Sequence, residues 1–134
     1  MSRVLVVDDD ADFVEAVRIC LERAGHTVVS AFNPEDGMRE ATQGAFDLLI
    51  LDIMMNEPDD GLAMAQRLRR TGFTRPILMM SNVARVTGFS YEKDRDIMPV
   101  DEFLEKPVPP EVLLKTVDAL LSAGKGGAAD VKRK

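Results

Sequence analysis

Three charged stretches each close an apolar run: Asp8-Asp9-Asp10 after Val4-Leu5-Val6-Val7, Asp52 after Leu48-Leu49-Ile50-Leu51, and Glu105-Lys106-Pro107 after Phe103-Leu104. A carboxylate beside four apolar residues is strongly disfavoured without a partner, so Asp52 needs a cation or a covalent fate. A carboxylate can act as a nucleophile towards phosphorus and yield an aspartyl phosphate. Asp8 and Asp9 would face opposite ways in a regular strand, but where the strand turns into a loop both can converge on one ion. Mg²⁺ suits such a pair, because it is a hard cation held by one or two carboxylates together with water and phosphate. Mn²⁺ is the alternative, since carboxylate and water ligands suit it too.

Lys106 completes the chemistry, as an ammonium can neutralise charge on the equatorial oxygens of a phosphoryl group. Ser81 closes a fourth apolar run, Ile77-Leu78-Met79-Met80, and its hydroxyl can donate a hydrogen bond to a phosphoryl oxygen. Each residue alone has a plainer reading. A serine at a strand end is commonly a turn residue, a lysine beside a turn is commonly solvated, and Asp10 is well explained as a helix cap. The combination carries the weight.

Apolar runs rich in branched residues, alternating with helical patterns, imply a parallel α/β sheet with right-handed crossovers. In open sheets of this kind, ligands bind at the carboxyl ends of the strands. The spacing predicts five βα units. The first strand is Val4 to Val7, followed by a helix from Asp10 to about Ala24, which Gly25 stops. The second strand is Thr27 to Ala31, and its helix opens at Asn33-Pro34-Glu35-Asp36 and ends near Gly44. The third strand is predicted over Asp47 to Leu51 and the third helix over Asp60 to Arg70. Pro76 admits the fourth strand. Between Asn82 and Pro99 the pattern weakens, and a short or irregular fourth helix with a longer loop is expected. The fifth strand is predicted near Glu102 to Leu104 and the last helix over Pro110 to Ser122. Residues 123–134, with Gly124, Gly126 and Gly127, read as a flexible tail after one domain over residues 1–122.

The chain has 134 residues, the length of one domain, and its 17 basic against 23 acidic residues give a net charge of −6. That balance repels a phosphate backbone and argues against direct nucleic-acid binding. No apolar stretch reaches the ~20 residues of a membrane span, so a cytoplasmic protein is expected. The single cysteine, Cys20, lies on an apolar helix face with Phe13, Val14, Val17, Leu21 and Ala24 and reads as a small buried residue. His26, the only histidine, reads as a surface or packing residue in the turn before strand two.

At these residues the chain resembles the receiver domain of two-component response regulators over about residues 3 to 122. The resemblance implies a flavodoxin-like, doubly wound five-stranded parallel sheet in the order 2-1-3-4-5, with helices on both faces. It makes Asp8 and Asp9 metal-binding acids, Asp52 the phosphoacceptor and a metal ligand, Ser81 the switch hydroxyl and Lys106 the phosphate-sensing lysine. It adds Met54 as a metal ligand through its backbone carbonyl, Phe103 as the aromatic switch residue, and a cis bond between Lys106 and Pro107 that orients the lysine. The implied function is a phosphorylation switch rather than an enzyme. A histidine kinase or histidine phosphotransfer protein donates the phosphoryl group, with self-phosphorylation from small donors and autodephosphorylation as side activities. A downstream protein target reads the state, and the chain acts as a monomer or as a dimer formed on phosphorylation. With no effector domain after the last helix, a stand-alone receiver is expected, with a fragment of a larger regulator as the alternative.

The chain departs from the family pattern in several places. Met55-Asn56 stands where Met-Pro is usual, Gly61 falls one residue later than common, and the segment from Asn82 to Asp101 is long. Asn82 replaces a small residue, and its amide is expected to narrow access to Asp52. Phe103 lacks a hydroxyl, so it either swings between rotamers or is a fixed core residue. Two other functions compete. One is a haloacid-dehalogenase-type phosphatase, from the Asp-x-Asp spacing of Asp8 and Asp10, although Asp12 breaks that pattern and Asp52 is left without a role. The other is a receiver-fold interaction module that is never phosphorylated.

Overall fold

The computed structural model describes residues 2–53, 55, 60–81 and 100–125. Within them lie strands β1 (Arg3–Val7), β2 (Thr27–Ala31), β3 (Leu48–Asp52), β4 (Ile77–Ser81) and β5 (Glu102–Glu105). The helices are α1 (Ala11–Arg23), α2 (Pro34–Gln43), α3 (Asp60–Arg70) and, as α4, the last helix Pro110–Lys125. All strand pairs are parallel, and the order is β2-β1-β3-β4-β5. The predicted fourth helix between residues 82 and 99, and Asn82 with it, lie outside the described residues.

Alternation along the strands divides the core in two. Leu5, Val7, Leu49, Leu51, Ile77 and Met79 pack towards α2 and α3 with Met64, Ala65 and Leu68. Val4, Val6, Leu48, Ile50, Leu78 and Met80 pack towards α1 and α4 with Val14, Val17, Leu21, Leu113 and Val117. The runs in β1 and β3 are continuous in apolar character because both of their faces are covered. β2 and β5 are edge strands and are only partly buried along most of their length.

The helix ends follow local chemistry. Asp10 caps α1 by accepting the Phe13 amide, and Asn33 caps α2 by accepting the Asp36 amide at 2.8 Å. α1 and α3 end at Gly25 and Gly72, whose φ values of 97° and 99° suit a residue without Cβ. In both, the amide after the glycine reaches back to the last turn, from His26 to Leu21 and from Phe73 to Leu68.

Three expectations are corrected. β3 begins at Leu48 and includes Asp52, because the Asp47 carboxylate instead accepts the Arg3 amide at 2.9 Å. α4 continues through Lys125, three residues past the predicted end at Ser122. Extending a formed helix fixes one residue per hydrogen bond, and one glycine costs only about 1 kcal/mol. Cys20 is partly exposed rather than buried. His26 is half-buried, in keeping with a packing residue in that turn, and its Nδ1 accepts the Ser2 amide at 3.2 Å.

At the amino end of the sheet, one Asp101 carboxylate oxygen accepts the Ile77 amide at 2.8 Å and the Arg69 guanidinium at 2.9 Å. Arg69 also donates to the carbonyls of Phe73 and Arg75. Ile77 is fully buried, so losing its acceptor leaves a buried amide unpaired. Asp101→Ala is expected to cost about 1–3 kcal/mol, measured as a lower midpoint of urea unfolding.

Candidate functional site

The functional side chains sit where four strands leave the sheet. Asp8 is the first residue past β1, and its amide extends the ladder by donating to Ala31 at 3.1 Å. Asp52 ends β3, Ser81 ends β4, and Lys106 follows β5. β1 and β3 are neighbours, yet the chain leaves them towards opposite edges, which opens a crevice at this point. The Lys106–Pro107 bond is cis, as expected.

Asp8 and Asp52 are 2 % and 6 % exposed, while Asp9 beside them faces solvent. One ligand oxygen from each of the three lies within 4.8 Å of the others. Octahedral Mg–O bonds of about 2.1 Å put ligand oxygens roughly 3 to 4.2 Å apart, so the three would draw closer together to hold one ion. Hard, acidic oxygens with an exposed member open to water fit Mg²⁺ better than a soft or nitrogen-preferring metal.

Lys106 supplies the opposing charge. Its ammonium donates to Asp8 Oδ2 at 2.8 Å and stands 3.7 Å from Asp52 Oδ2. The other Asp8 oxygen accepts the Asp10 amide at 2.9 Å. Asp8 is thus tied on both oxygens, once to its own loop and once to a residue 98 positions away. Burial nevertheless pushes the Asp8 carboxyl above its ordinary range, and the Lys106 and Asp10 contacts offset only part of that.

Phe13, which the sequence reading left as an apolar helix residue, lies with its ring centroid 4.1 Å from the Lys106 ammonium. Gly61 is a second residue whose role the reading missed. A Cβ there would fall 1.8 Å from the Asp52 carbonyl oxygen and 2.6 Å from the Ile53 Cα. Its amide donates to the Ile53 carbonyl at 2.8 Å. The signal was present, as a glycine at the second position of a helix works against helix propensity and so marks a close approach.

Of the other candidates, Ser81 pairs in register with Glu105 across β4 and β5, and nothing is described of its side chain. Phe103 is partly buried and packs against the cluster beneath α2 and α3. Met54 lies outside the described residues. Asp10 spends its carboxylate on the cap of α1, which removes it as the second acid of a phosphatase pair.

A parallel sheet with buried acids and a lysine at its carboxyl edge defines an α/β phosphoacceptor switch. The family model of the response regulator receiver domain matches residues 4–118, and the chain belongs to this family of two-component signalling proteins. The DNA-binding dual master transcriptional regulator RpaA of Synechocystis sp. is 36 % identical over 123 residues, covering 90 % of this chain and 49 % of the relative. The alkaline phosphatase synthesis transcriptional regulatory protein PhoP of Bacillus subtilis is 30 % identical, covering 90 % and 48 %. The chain therefore spans about half the length of the curated relatives it matches. Among solved structures, the response regulator TrrA of Thermotoga maritima, in complex with Mg²⁺ and BeF, has a TM-score of 0.75 at 30 % identity, covering 90 % of this chain and 99 % of that one. The chemotaxis protein CheY4 of Vibrio cholerae has a TM-score of 0.77 at 29 % identity, covering 90 % and 98 %. The phosphatase reading is left without support.

Two outcomes follow from the geometry. A carboxyl held above its unfolded value of 3.8 adds stability that is complete below that pH and is lost as pH rises through the folded value. Asp8→Asn is therefore expected to raise the melting temperature of metal-free protein at neutral pH, with the gain shrinking to nothing in acid, read from thermal melts in EDTA across pH. Gly61→Ala forces the Asp52 backbone aside and is expected to cost about 1–3 kcal/mol or more, measured by denaturant unfolding.

Proposed function

We propose that Asp52 accepts the phosphoryl group in this receiver domain, with Asp8, Asp9 and the Met54 carbonyl holding Mg²⁺ and Lys106 balancing the incoming charge. The observation that carries this reading is the convergence of Asp8, Asp9 and Asp52 within 4.8 Å, with the Lys106 ammonium at 3.7 Å from Asp52. The donor is the phosphohistidine of a kinase or phosphotransfer protein. An Asp52 oxygen forms the new O–P bond as the P–N bond breaks, and the departing electron pair and a proton go to the imidazole. A bound Mg²⁺ supplies charge neutralisation at the phosphoryl oxygens.

Lys106 is placed to keep its ammonium on the phosphoryl group once Asp52 no longer carries its own negative charge. Small donors such as acetyl phosphate serve the same attack, and water ends the state by attacking the phosphorus, breaking the Asp52 O–P bond and releasing inorganic phosphate. Ser81 and Phe103 then carry the change to the outer surface. Ser81 closes a strand beside Asp52, and Phe103 sits on the edge strand that pairs with it. The readout is altered affinity for a protein target or for a second copy, inside the cell where ATP charges the kinase.

Mass spectrometry after acetyl phosphate and Mg²⁺ tests the acceptor. The wild type is expected to gain one phosphoryl mass and Asp52→Asn none, while EDTA abolishes the gain. An equal gain in both proteins would displace Asp52, and no gain in either would restore the unphosphorylated module.

A further inference from the structure

The Lys106 ammonium lies between two kinds of partner. On one side are the carboxylates of Asp8 and Asp52, at 2.8 and 3.7 Å. On the other is the Phe13 ring, 4.1 Å away at its centroid and within the distance at which a ring face attracts a cation. These partners differ in what happens when a divalent ion arrives. Asp8 must then share its charge with that ion and holds the lysine less tightly. The ring keeps its attraction, because a hydrated divalent ion does not compete for it there.

Phe13 is also positioned rather than merely packed. Its amide donates to the Asp10 carboxylate at 3.2 Å, so the cap of α1 fixes where the ring begins. Its flank borders an apolar cavity of about 170 Å³ shared with Cys20, Pro107 and Val108. The ring rests in part on the core beneath α1 and α4, its cavity flank is open, and the ammonium is its close polar contact.

We propose that Phe13 is a positioning residue for phosphoryl transfer, holding the Lys106 ammonium at the pocket by cation–π attraction when Asp8 turns its charge to the ion. This rests on the reading of Asp52, Lys106 and Mg²⁺ given above. It also gives the third aspartate a purpose: Asp10 sets the helix start that aims the ring.

The test replaces Phe13 with mono-, di- and trifluorophenylalanine, which drain the negative ring face while nearly preserving shape, and with Tyr and Leu. In metal-free protein, the Lys106 ε-methylene protons are expected upfield through the ring current, and the shift should vanish in Phe13→Leu. Affinity for beryllofluoride in the presence of Mg²⁺ should fall stepwise along the fluorine series, by about three- to thirtyfold at its end. Phe13→Tyr should restore it, and melting temperatures should stay level across the ring variants. A flat affinity series in a protein that binds beryllofluoride normally would overturn the role of Phe13 alone, as would an unshifted ε-methylene signal. Failure of the unsubstituted protein to bind beryllofluoride would instead overturn the site reading and this inference with it.

Discussion

The structure depends on keeping like charges buried at one end of an apolar sheet. Asp8 and Asp52 are drawn out of water by strands whose other residues are apolar, and their repulsion is held down by one ammonium. The pair of Lys106 with Asp8 closes a contact between the first strand's exit and the last strand's exit. A buried ion pair of this sort adds little net stability, because desolvation consumes most of its attraction. What it contributes is arrangement: the lysine is held against both buried carboxylates.

Much of this was legible in the sequence because burial and charge collide there in plain view. Four apolar residues ending in a carboxylate can only be a strand leaving the core, so Asp8, Asp52 and Lys106 announced themselves. Helix starts at Asp10 and Asn33 and stops at Gly25 were equally local signals. Phe13 was hidden for the opposite reason. At helical spacing with Val14, Val17 and Leu21 it looks like one more core residue, and no local rule reveals a cation arriving from 93 positions later. Gly61 was visible as a misplaced glycine but not as the neighbour of Asp52, since that contact is fixed by the return of the chain. Strand limits shifted by a residue where a side chain replaced a ladder contact, as Asp47 does for Arg3. Cys20 lay on an apolar face, but the face is wider than the neighbour that covers it.

The backbone at Asp52 is as constrained as its side chain is buried. Gly61 presses on the Asp52 carbonyl from the start of α3, and the register with Met80 holds it in the sheet. A carboxylate on a backbone fixed in this way has little conformational freedom left to lose on engaging a ligand.

At the opposite end of the sheet, Arg69 and Asp101 bind the beginnings of β4 and β5 to the end of α3. β5 is thus fastened at both ends, there through Asp101 and at its exit through the Lys106–Asp8 pair. The fastening at Lys106 shares its partner with the acidic crevice, whereas the one at Asp101 lies at the opposite edge of the sheet and is independent of it.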